Sequence, residues 1–122
     1  ILGNKVSERI VKRLFYQYDD ILRLNLSANE IAEEIKFSYT LLTRFLSTEK
    51  PIYEVLSSEK FYIVGIAKER EEIDIEKILS LFNGKVHSFS VFDIYNVGIV
   101  ILRFHRNFEL SEIFDIMEKN LI

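Results

Sequence analysis

The chain contains no cysteine, which excludes disulfides and thiol chemistry and makes the cytoplasm the expected compartment. Proline occurs once, at Pro51, and marks a break near the middle of the chain. No apolar run approaches the ~18 residues that a membrane span needs, so no membrane partner is expected. The opening ILGNKVSERI lacks the basic segment followed by an apolar one that makes a signal peptide. Histidine occurs twice, at His87 and His105. Two imidazoles are too few for zinc unless carboxylates complete the site, and both positions read as strand residues, so no metal is expected. No glycine-rich phosphate loop, Ser-His-Asp set or matched carboxylate pair occurs. Neither catalysis nor a cofactor is therefore expected.

Positive charge is not in excess. Sixteen Lys and Arg stand against nineteen Asp and Glu, a net of −3. Lysines and arginines equal acids over residues 1–60, and acids prevail beyond. Phosphate binding needs local positive potential. Here it could come only from arrangement, with Lys36, Arg44, Lys50 and Lys60 on one face.

What the chain has in quantity is apolar material. It is 48% hydrophobic and 13% aromatic over 122 residues. That supplies a core, argues against disorder, and suits one compact domain or two small ones sharing a core. Abundant Ile, Lys and Glu with a single Gln17 fit a thermophilic source.

Lys5 to Leu22 has Val6, Ile10, Leu14 and Tyr18 stepping by four, with Val11, Phe15 and Leu22 widening the stripe. This predicts a long amphipathic helix, with an apolar stripe wide enough for a second subunit or for internal core. In ANEIAEEIKFSYTLLTRFLS, Ala28 to Ser47, Ile31 and Ile35 share one face, and Leu42 and Phe45 share another. Ser27 and Glu30 predict a capping box, and Ser38 a second helix start. Two helices joined by a turn at Lys36-Phe37 are expected, with small Ala32 at their crossing.

IYEVL and KFYIVGIA, separated by Ser57, Ser58 and Glu59, predict a hairpin. Asp74 to Phe82 has helical spacing, and Asn83-Gly84 closes it. VHSFSVFD and VGIVILRF predict strands on either side of a turn at Tyr95-Asn96. Leu110, Ile113, Phe114, Met117 and Leu121 predict a C-terminal helix. From residue 61 the order is β-α-β-β-α, a split βαβ arrangement of ferredoxin-like type without its last strand. Both helices are expected on one sheet face, leaving the other bare for a partner. The acidic run Glu69, Glu71, Glu72, Asp74 and Glu76 reads as a solvated turn.

The pattern at Ala28 to Ser47 resembles the helix-turn-helix of bacterial and archaeal transcription regulators, with Lys36 where the turn glycine usually stands. The hairpin that follows would be the wing of a winged helix. In element order, most of the chain resembles the Lrp/AsnC family, although the first helix is longer and the last strand is missing. Together these imply an α+β fold: residues 1–60 a helix-turn-helix with a wing hairpin, and residues 61–122 a ferredoxin-like half for dimerisation or partner binding. The strand at 61–67 would serve both halves.

The resemblance implies a dimeric, sequence-specific regulator of transcription that binds double-stranded DNA. It leaves a small-molecule effector open, with no residue assigned to one. The DNA-facing residues would be Lys36, Ser38, Tyr39, Thr40, Thr43 and Arg44, with Lys60 at the wing tip. A competing reading comes from the neutral charge of the first half. It is a non-catalytic protein-interaction module, a subunit or adaptor, that uses the winged helix or the sheet face.

Overall fold

The computed structural model describes residues 26–120. The helix expected over Lys5 to Leu22 lies outside them, as does Leu121.

The first described element is a single helix, α1 (Ala28–Thr48). Its start follows the expected capping box: Glu30 N–H donates to Ser27 Oγ at 3.1 Å, and Ser27 N–H donates to Glu30 Oε1 at 3.2 Å. The two-helix expectation is corrected here, because no turn interrupts the helix at Lys36-Phe37. Positive φ among described non-glycine residues is confined to Glu49, Asn83, Tyr95 and Asn96. Lys36 therefore supplies no left-handed corner. Ser38 does not cap a second helix. Its hydroxyl donates back to the Glu34 carbonyl at 2.9 Å, as serine does inside a helix. The buried stripe is Glu30, Glu34, Phe37, Ser38, Leu41, Leu42 and Phe45, one unbroken 3.6-residue period. Ala32 is exposed and is not at a crossing of two described helices. The helix ends at Glu49, in the left-handed conformation with φ 55°, whose N–H bonds the Phe45 carbonyl.

Four strands follow: β1 (Ile52–Ser57), β2 (Phe61–Glu69), β3 (Ser88–Ile94) and β4 (Val97–His105). They form one sheet in the order β1-β2-β4-β3, antiparallel throughout. A 3-10 turn (Arg70–Glu72) and α2 (Ile75–Leu81) lie between β2 and β3, and α3 (Leu110–Asn120) ends the described chain. The β-α-β-β-α order expected from residue 61 is that of β2, α2, β3, β4 and α3. The sheet edge where a final strand would follow α3 is occupied by β1, which arrives from the front of the chain.

Residues alternate between the two sheet faces, and both faces are covered. On one, Phe37, Leu41, Leu42 and Phe45 of α1 meet Phe61, Ile63, Ala67, Phe92, Ile99 and Ile101. On the other, Phe82, Ile113 and Met117 meet Val64, Ile66, Val100, Leu102 and Phe104. The expectation that α2 and α3 share a face holds; the expectation of a bare opposite face does not, because α1 lies on it. Gly65 makes this fit close. A Cβ there would fall 2.2 Å from Leu41 Cδ1 and 2.8 Å from Phe37 Cε2. Leu41 is fully buried over that glycine, worth about 1.5–3 kcal/mol as a leucine removed from water.

Candidate functional site

Of the residues expected on DNA, Lys36, Tyr39, Thr40, Thr43 and Arg44 share the exposed side of α1, while Ser38 and Lys60 lie elsewhere. Thr40 Oγ1 donates to the Lys36 carbonyl at 2.9 Å, and Thr43 Oγ1 to the Thr40 carbonyl at 3.0 Å. Both hydroxyls thus serve their own helix. Arg44 forms an ion pair with Glu54 of β1. Ser38 is buried against the sheet, and Lys60 belongs to the β1–β2 turn, at the far end of β1. Glu33 shares the exposed side of α1 with Lys36, so this surface carries both signs of charge.

A second polar set is buried. Arg103 Nη2 donates to Glu34 Oε1 at 2.7 Å, and Arg103 Nε to the same oxygen at 3.2 Å. Ser88 and Ser90 accept from the guanidinium at 3.4 and 3.3 Å. The Arg103 side chain is 3% exposed. A buried charge is tolerated only when paired and hydrogen-bonded, and here it is both. The set fastens α1 to β3 and β4 and leaves no opening for a ligand. Beside it the rings of Phe61, His87 and His105 cluster, with His87 and His105 edge to face at 4.6 Å. Burial, then the neighbouring His105 and Arg103, hold the His87 imidazole below its usual proton affinity. Among the described residues no group of three or more His, Cys, Asp or Glu is placed to hold a metal ion.

Among the described residues, an open site lies where α1 ends. A cleft of about 320 Å³ is lined by Phe45, Leu46 and Glu49, by Glu69, Arg70 and Glu71, and by Tyr95, Asn96 and Val97. Three separate stretches of chain build it. Phe45 and Val97 are buried and form the floor. Leu46 and Tyr95 stand exposed at 50% and 42%. Arg70 also lines the cleft, but its guanidinium is paired with Asp93 of β3 at 2.6 Å, and the carboxylates of Glu49, Glu69 and Glu71 outnumber it there. The end of α1 adds to this. Its last turn carries no basic residue, and helix C-termini are the negative end of the backbone dipole.

The β3–β4 turn is positioned with strain. Tyr95 and Asn96 have φ of 52° and 63°, the pair of left-handed residues that a tight two-residue hairpin demands. Asparagine accepts this conformation readily and tyrosine does not. The turn is docked by Arg70 N–H on the Asn96 carbonyl, at 2.7 Å. Gly98 permits the neighbouring approach of Ile73, whose Cδ1 would lie 2.6 Å from a Cβ there.

The sequence marked Tyr95-Asn96 as a turn and Glu69 and Glu71 as an acidic turn. It gave no sign that these meet Leu46 and Glu49. The class that emerges is an α+β domain with helices on both sheet faces and an acid-rimmed apolar cleft among the described residues. Compared with protein-family models, with curated proteins and with solved structures, the chain matches none of them.

Proposed function

We propose that this chain is a non-catalytic protein-interaction module that docks a partner in the cleft at the end of α1. The observation that carries this reading is the exposure of two large apolar side chains, Leu46 and Tyr95, on either side of one cleft with a buried apolar floor. Exposed apolar surface gathered at a concavity marks binding surface more than scattered exposure does. The lining residues offer apolar contact and fixed charge and lack a nucleophile with an adjacent base, an arrangement suited to binding rather than reaction.

The DNA-regulator reading has less support. Its paired helices are one helix, and Arg44, its best base or phosphate contact, is paired with Glu54. The dimer reading loses the bare sheet face it relied on, since α1 lies there. No described helix is long and apolar enough to cross a membrane.

A displayed library of short peptides, selected on the intact chain and on Leu46→Asp, tests the docking role. Leu46 is exposed, so the substitution leaves the core intact. A consensus enriched on the natural chain and lost on the variant supports the cleft. Failure to enrich, or a consensus that ignores Leu46→Asp, would remove the cleft from consideration.

A further inference from the structure

Resting on the docking role above, we propose that the occupant of the cleft is a peptide segment of a protein partner in which an aliphatic side chain is flanked by arginine or lysine. The cleft has two chemistries side by side. Its floor and walls are Phe45, Leu46, Tyr95 and Val97, and its rim is Glu49, Glu69 and Glu71. A volume of about 320 Å³ stands at the small end of ligand sites, which run to roughly 1,000 Å³. It accommodates one or two side chains and not a folded surface.

The charge selects among occupants. The three rim carboxylates come from the α1 cap, the end of β2 and the 3-10 turn. The one arginine among the lining residues is occupied by Asp93. Opposite charge at a binding surface steers encounter and rejects partners of like charge. Phosphate-bearing ligands, nucleic acid among them, are therefore disfavoured in this cleft. A metal ion needs ligands converging within about 2.6 Å of one point. The described carboxylates form no such group. Spread carboxylates suit an arginine or lysine instead, whose hydrocarbon stem can lie on the apolar wall while its charged end reaches the rim.

Three short synthetic peptides test this against the intact chain by amide-resolved NMR titration. Their cores are Arg-Leu-Arg, Glu-Leu-Glu and Arg-Gly-Arg in a common Gly-Ser frame. The Arg-Leu-Arg peptide is expected to shift the amides of Leu46, Glu49, Glu69, Arg70, Glu71 and Tyr95. Its affinity should fall about tenfold on Glu69→Gln with Glu71→Gln, and fall again with added salt. The other two peptides should bind at least about tenfold more weakly, a difference of roughly 1.4 kcal/mol.

Preserved amide dispersion in the double variant shows that it remains folded. Equal binding of Glu-Leu-Glu, indifference to the double substitution, or shifts confined to another surface overturns the basic-aliphatic occupant. So does absence of Arg-Leu-Arg binding at millimolar peptide. The docking role is judged separately by the library selection and Leu46→Asp, so the basic-aliphatic occupant can fail while the docking role stands, and a failure of the docking role is recognised by its own test.

Discussion

Glu34 and Arg103 are 69 residues apart in the chain and share a buried ion pair, Nη2 to Oε1 at 2.7 Å. Removing one partner leaves the other charge buried and alone, which costs about 3–5 kcal/mol. Glu34→Ala should therefore lower the unfolding free energy by about that amount in urea melts. Replacing both residues with apolar ones of similar volume should recover most of the loss. Additive losses in that double-mutant cycle would mean that the pair does not act as a unit.

Gly65 admits α1 to the sheet. With a Cβ placed 2.2 Å from Leu41 Cδ1, Gly65→Ala forces the helix or the leucine to move. Overpacking of this kind costs about 1–3 kcal/mol. Adding Leu41→Val should make Gly65→Ala less damaging than it is alone. The denaturation midpoints of the four proteins in this cycle provide the check.

Tyr95 carries backbone strain at the cleft. Tyr95→Asn removes a bulky residue from a left-handed position and should raise stability by about 0.5–1 kcal/mol. The same change removes a wall of the cleft and should weaken peptide binding. Calorimetry and the NMR titration together read both effects. A stabilised variant that binds as well as the natural chain would separate the strain from the site.

His87 gives the chain a pH dependence on the acid side. Burial, then His105 and Arg103, lower its proton affinity from the ordinary value of 6.5. The unfolded chain then binds the proton more readily than the folded one. The histidine imposes no penalty above pH 6.5. Stability falls as the pH drops through 6.5 towards the lowered folded value, and the loss is complete below it. His87→Asn should flatten that part of the curve of urea midpoint against pH. An unchanged slope in the variant would assign the dependence to other groups.

Much of the fold was legible from local pattern. The capping box at Ser27 and Glu30, the hairpin of β1 and β2, the stop at Asn83-Gly84 and the β-α-β-β-α order each follow from residues close in sequence. What misled was the identity of the inner face of α1. Ile31 and Ile35 advertise one face, yet they are half-buried, while Glu30 and Glu34 point inward. Burial of Glu34 makes sense only once Arg103 is opposite it, and no local period encodes that. Leu41 tells the same story, because its place is set by a glycine on β2. The cleft was illegible for a similar reason: its three stretches meet only through the sheet, and each alone reads as a helix end, an acidic turn or a hairpin.

The position of β2 in the sheet has a consequence during synthesis. Its sequence, FYIVGIA, emerges with β1 available at one edge, but its other neighbour, β4, is made only after α2 and β3. Until then the apolar stretch of β2, uncharged from Phe61 to Ala67, has an open edge, and the face later covered by α3 stays wet. Such segments recruit other chains when left unpaired. A chain in which β2 has emerged and β4 has not is therefore adhesive, and a holding chaperone has a substrate in that open edge.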